Sequence, residues 1–188
     1  MTDATYFSNQ FLIAMPSLND PNFARTVTYI CSHDESGALG IVINRPLELT
    51  LAELLEHIEL PAPPSNPLNS LIIYSGGPVQ PQQGFVLHTP LNSWESTLHI
   101  SDSIGLTTSS DILRALTQND GPEQLLVALG YAGWGPGQLE QEIVNNAWLS
   151  GPADLNIIFN TPASERWQAA ATLLGVDLRL LSADAGHA

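Results

Sequence analysis

Lysine is absent from the 188 residues, and all five cations are arginine: Arg25, Arg45, Arg114, Arg166 and Arg179. The absence excludes a Schiff-base lysine and the lysine of a phosphate-binding loop. Against the 5 arginines stand 19 Asp and Glu, a formal charge of −14. Coating DNA or RNA needs a dense cationic patch, and docking on anionic lipid needs basic clusters. Neither nucleic acid nor a membrane is therefore an expected partner. Cysteine is reduced to Cys31, so no intrachain disulfide can form, and a reducing cytoplasm is the expected location. Cys31 closes the alternating run 26–31 and reads as a small strand residue rather than a nucleophile. Long apolar runs are also missing. The first, residues 11–15, has no basic flank of a secretory signal, and no run approaches the ~18 residues that span a bilayer.

What is present suffices for a core. Hydrophobic residues make up 44% of the chain, and its length fits one domain, residues 1–188. Strands are predicted at 11–15, 26–32 and 39–44, the last two flanking the polar turn His33-Asp34-Glu35-Ser36-Gly37 as a hairpin. Thr50 and Glu53 form a capping box ahead of Leu51, Leu54, Leu55 and Ile58 at helical spacing. Further strands are predicted at 71–74, 84–88, 97–100 and 104–107. A helix capped by Thr108 or Ser109 follows and buries Ile112, Leu113 and Leu116. The apolar run 125–129 reads as a central strand, followed by a glycine-rich turn and a helix over 136–145. Residues 155–159 read as a strand. Thr161 and Pro162 read as cap and first helical residue of a helix burying Trp167, Ala170, Ala171 and Leu174, with a final short strand at 178–181. The mixture points to one α+β domain with about four helices.

Several patterns carry candidate chemistry. Gly76-Gly77-Pro78 is read two ways, as a backbone N–H cradle for an anion or as a tight turn. The segment 130–140 places Gly133, Trp134, Gly135 and Gly137 between a buried strand and a helix. It serves either as a ligand cradle or as a structural turn in which Gly133 or Gly135 takes positive φ. Arg45, in Asn44-Arg45-Pro46, either pairs with a carboxylate of the protein or makes a bidentate contact to a carboxylate or phosphate ligand. The histidines are scattered, and no metal or cofactor is expected. A site assembled in space from His33, Asp34 and His88 is the one metal alternative. No G-x-S-x-G nucleophile motif occurs.

Residues 11–16 (Phe-Leu-Ile-Ala-Met-Pro), Asp20-Pro21, Phe23 and the run Gly37-Ala-Leu-Gly-Ile-Val-Ile-Asn-Arg-Pro46 together resemble the bacterial AlgH/YqgE family. So do Gly76-Gly77-Pro78, Gly84-Phe-Val-Leu-His88, Leu129-Gly-Tyr-Ala-Gly-Trp134 and Gly137-Gln-Leu-Glu-Gln-Glu-Ile143. Asn146-Ala-Trp-Leu149 and the terminal Gly186-His187-Ala188 complete a match along nearly the whole chain. The resemblance implies a bent, split, mostly antiparallel sheet rolled into a pseudo-barrel and flanked by helices. It also implies a role in transcriptional regulation, notably of alginate production. It supplies no activity, cofactor or ligand. One departure is Gln83, where many relatives carry arginine; if the family has an anion-binding cleft, this chain lacks one of its charges.

The first functional expectation is a non-enzymatic regulatory or adaptor protein acting through an unidentified protein or small molecule. Its candidate surface combines Asn44, Arg45, Gly76, Gly77, His88, Gly133, Trp134, Gln138 and Glu142. The alternative is a hydrolase using His88 with Glu140 or Glu142. A direct DNA-binding regulator is the third.

Overall fold

The computed structural model describes residues 6–92 and 94–183. Its N-terminal half is set by three adjoining strands. Strand β1 (Gln10–Ala14) ends just before Pro16 and pairs antiparallel with β2 (Val27–Asp34). The polar turn at 35–36 folds β2 back onto β3 (Gly37–Val42), as the hairpin reading expects. A short strand, β4 (Pro46–Thr50), leads into helix α1 (Leu51–His57). The capping box there is complete: Glu53 N–H donates to Thr50 Oγ1, and Thr50 N–H donates to Glu53 Oε2 at 2.8 Å. Leu51 and Leu55 fall on one face of α1 and are buried.

Strand β5 (Ile72–Ser75) precedes the long β6 (Val79–Thr89), then β7 (Thr97–His99) and β8 (Gly105–Thr107). Helix α2 (Ser110–Thr117) leads to β9 (Gln124–Trp134), the spine of the sheet. β6 lies along most of β9, β5 pairs parallel with Ala128 and Leu129, and β3 pairs with residues 132–134. The apolar run expected to be central is central. After α3 (Gln138–Val144), β10 (Trp148–Pro152) returns to pair with β1. The resulting sheet runs β10-β1-β2-β3-β9-β6-β8-β7, with β4 and β5 off that path. It is a curled, mostly antiparallel half-barrel in a single α+β domain.

The C-terminal segment corrects three expectations. Residues 155–159 are helix α4 (Leu155–Phe159), not a strand, because Asp154 accepts the Ile157 N–H at 2.9 Å and starts a turn. Helix α5 (Ala163–Leu173) is capped by Pro162, not Thr161, whose hydroxyl instead donates back to the Asn156 carbonyl. Residues 178–181 lie in helix α6 (Leu178–Ala183) rather than in a strand. Six α-helices therefore replace the expected four among the described residues. The short α4 and α6 escape helical periodicity because neither completes two turns.

One apolar cluster joins β1, β2, β3 and β6 to α4 and α5, a second surrounds Trp134 and Trp148, and a third packs α1 and α2 against β5, β6 and β9. Among the described residues no helix is long and apolar enough to cross a membrane.

Candidate functional site

The nine candidate residues divide among three places. Asn44, Arg45, Gly76 and Gly77 come together where β3 ends and β5 ends. Val27 N–H donates to Asn44 Oδ1 at 2.9 Å, while Asn44 Nδ2 donates to the Arg25 carbonyl. Arg45 pairs with no carboxylate among the described residues. Its Nη1 donates to the Pro21 and Asn22 carbonyls at 2.8 and 2.7 Å, and its Nη2 donates to that of Ala24 at 3.0 Å. The guanidinium thus fastens the 21–24 turn. The expected carboxylate partner gives way to this carbonyl set, which uses three of the five N–H donors of the fork.

Gly76 and Gly77 lie against β9. Gly76 N–H donates to the Leu129 carbonyl, and Gly76 accepts from Val42 N–H. A methyl on Gly77 would overlap the Tyr131 carbonyl, and one on Gly130, at φ +77°, would overlap the Gly77 carbonyl. The glycines serve backbone-to-backbone packing, not an open cradle.

Gly133, Trp134, Gln138 and Glu142 form the second place. Glu142 Oε2 accepts both indole N–H groups, from Trp134 at 2.8 Å and from Trp148 at 2.9 Å. Its Oε1 accepts from Gln138 Nε2, and Gln138 Oε1 accepts the Gly135 N–H, both at 3.0 Å. Phe23 stands edge-on to Trp148, with centroids 5.5 Å apart. The glycine-rich turn is therefore locked by its own polar groups. Neither Gly133 nor Gly135 takes positive φ, contrary to the structural expectation; Gly130 and Gly137 do.

His88, the third place, is fully buried on β6. Its Nδ1 lies 3.1 Å from the Pro90 carbonyl, which only accepts, so Nδ1 carries the proton. Nε2 then accepts from Thr107 Oγ1 at 2.7 Å, and Thr107 in turn accepts from Thr97 at 2.8 Å. Burial lowers the pKa of His88 and keeps the ring neutral. Glu140 does not reach it, because its Oε1 accepts from His33 Nε2 at 3.0 Å. His33 Nδ1 accepts the Phe7 N–H, and its ring stacks on Phe7. The expected pairing of His88 with Glu140 or Glu142 is absent among the described residues, since both carboxylates are engaged elsewhere. So is any cluster of three or more His, Cys, Asp or Glu able to hold a metal. Cys31 is buried, and burial pushes its thiol well above the usual range, so it is no nucleophile. Gln83 is exposed and donates to the Gly84 carbonyl. The motif residues Gly186, His187 and Ala188 lie outside the described residues.

One group that the sequence reading passed over is Arg166 on α5, only 5% exposed. Its Nε donates to the Thr161 carbonyl at 2.8 Å and its Nη1 to that of Ile43; no carboxylate among the described residues pairs with it. The guanidinium carbon lies 5.1 Å from the centroid of the Tyr74 ring. Both residues line a cleft of about 370 Å³ walled by Leu68, Ile72, Leu125, Ile158 and Phe159. The signal was in the helical stripe itself: Arg166 precedes Ala170 by four positions and shares its buried face.

Comparison with known proteins is consistent along the whole chain. A family model described as AlgH-like matches residues 11–179. A UPF0301 protein of Nitrosococcus oceani is 56% identical over 188 residues, covering 100% of each chain. The solution structure of the AlgH protein from Pseudomonas aeruginosa aligns with a TM-score of 0.81 at 52% identity, over 100% of this chain and 99% of that one. A crystal structure of a Corynebacterium diphtheriae protein aligns with a TM-score of 0.73 over 97% and 94% of the two chains. At 22% identity it shares the fold alone.

Proposed function

Because the chain belongs to the AlgH-like family, we propose that it is a cytoplasmic regulatory or adaptor protein that works by binding a protein or small molecule, not by catalysis. The carrying observation is His88. It is fully buried, and both its ring nitrogens are bonded within the protein. A general base needs a free, reachable nitrogen. The transcriptional effect, of the alginate-regulating kind that the resemblance implies, is then indirect. The charge of −14 supports this, since phosphate contacts need clustered cations.

The test compares a deletion strain with its complemented parent. Transcript levels change on deletion and recover on complementation, while chromatin crosslinking finds the protein on no specific DNA sequence. Sequence-specific occupancy, or turnover of ester or phosphoester substrates that His88→Gln removes, overturns the proposal.

A further inference from the structure

The cleft between β5, β9 and α4 has an unusual electrostatic character for this protein. Among the described residues no Asp or Glu lines it, although the chain as a whole is strongly negative. Its one charged group among the described residues is Arg166, buried and without a carboxylate partner. Two of the guanidinium nitrogens are held by carbonyls, which neutralise none of its charge. The third, Nη2, donates to no carbonyl or carboxylate among the described residues. The Tyr74 side chain hydrogen-bonds the guanidinium and its ring lies beside it, a neutral partner that leaves the charge unbalanced. Taking a cation out of water without a counter-ion is unfavourable, and an incoming anion would relieve it.

The rest of the lining sets the ligand class. Apart from Ser70 the walls are aliphatic and aromatic, and about 370 Å³ is enough for a small molecule with an apolar body. A single guanidinium balances the charge of one carboxylate. A phosphate dianion would bring twice the charge into a protein of −14 with no second cation in the cleft. Exposed Ile72 extends the apolar surface at the rim.

We infer that this cleft binds a small monocarboxylate with an apolar tail, its carboxylate against Arg166 and Tyr74 and its tail along Leu68, Ile72, Leu125 and Ile158. The inference rests on the reading of the protein as a binder and names the ligand class.

The test uses the full-length, isotope-labelled protein and octanoate as probe, followed by NMR, with 1-octanol, octylamine and octyl phosphate as comparison ligands. Saturable octanoate shifts are expected at the Ile72, Tyr74 and Leu125 amides and the Arg166 Nε–H, with Kd below ~1 mM. Octanol and octyl phosphate should bind at least ~10-fold more weakly, and octylamine weakest. Removing Arg166 also leaves two carbonyls without their donor, so the variant of choice is Ile72→Glu. At the exposed rim it supplies a competing carboxylate. It should keep the wild-type melting temperature and lose at least ~10-fold in octanoate affinity. No binding up to about 10 mM, equal affinity for octanol, tighter binding of octyl phosphate, shifts elsewhere, or an unaffected folded Ile72→Glu protein each overturns the inference. Chemical conversion of bound probe at these residues would support the site and overturn the non-catalytic reading, so the two failures are distinguishable.

Discussion

Trp134 and Trp148 aim their indole N–H groups at the same oxygen, Oε2 of Glu142, at 2.8 and 2.9 Å. Their rings meet edge-on with centroids 6.2 Å apart. One carboxylate on α3 thereby ties the end of β9 to the start of β10 and closes the sheet around its second cluster.

Removing that carboxylate leaves two buried donors unpaired. Glu142→Ala should destabilise by about 2–6 kcal/mol, at about 1–3 kcal/mol per unsatisfied buried group. Glu142→Gln keeps an acceptor oxygen and should cost less. Urea unfolding followed by tryptophan fluorescence measures both, and equal stabilities for wild type and Glu142→Ala would refute the clamp.

The glycines separate into two classes by what a methyl would meet. Gly77→Ala and Gly130→Ala place Cβ on backbone atoms of the facing strand and should lower stability by more than ~3 kcal/mol or prevent folding. At Gly135 the nearest atom to a new Cβ is Gln138 Oε1 at 3.9 Å, and φ is not positive. Gly135→Ala should therefore be neutral or stabilising by up to about 1 kcal/mol. Thermal melts of the three variants decide the matter.

His88 makes stability depend on pH in a defined direction. Its pKa is lowered in the fold by burial, so the unfolded chain binds its proton more readily. The stabilisation is complete above the unfolded value, about 6.5. It is lost as pH falls from there through the lower folded value. Unfolding free energies at pH 7.5, 6.5 and 5.5 should decline for the wild type. The decline should be shallower for His88→Gln, which has no proton to take up; parallel profiles would contradict the assignment.

Helix caps give a local comparison. Asp154→Ala removes the acceptor for Ile157 N–H and should cost about 1 kcal/mol. Thr161→Ala removes only an exposed bond to the Asn156 carbonyl and should change stability by less than ~0.5 kcal/mol. Denaturant midpoints rank the two, and the opposite order would restore Thr161 as the cap.

What the sequence determined by itself is what near neighbours decide. Thr50 and Glu53 are three residues apart, so their capping box is written in the chain and forms as read. The hairpin of β2 and β3 turns within the polar stretch 33–37, at residues 35–36, and the apolar run at 125–129 lies in the central strand β9. The tertiary structure decided the use of groups whose partners lie far away in sequence. Arg45 reaches carbonyls 21–24 residues earlier, and Arg166 reaches Ile43 across 123 positions. Neither residue type nor spacing announces a carbonyl partner, because a guanidinium fork fits carbonyls, carboxylates and ligands alike. The same holds for the cleft: its charge is carried by α5 and its walls by β5, β9 and α4, and only the folded sheet brings them to one place.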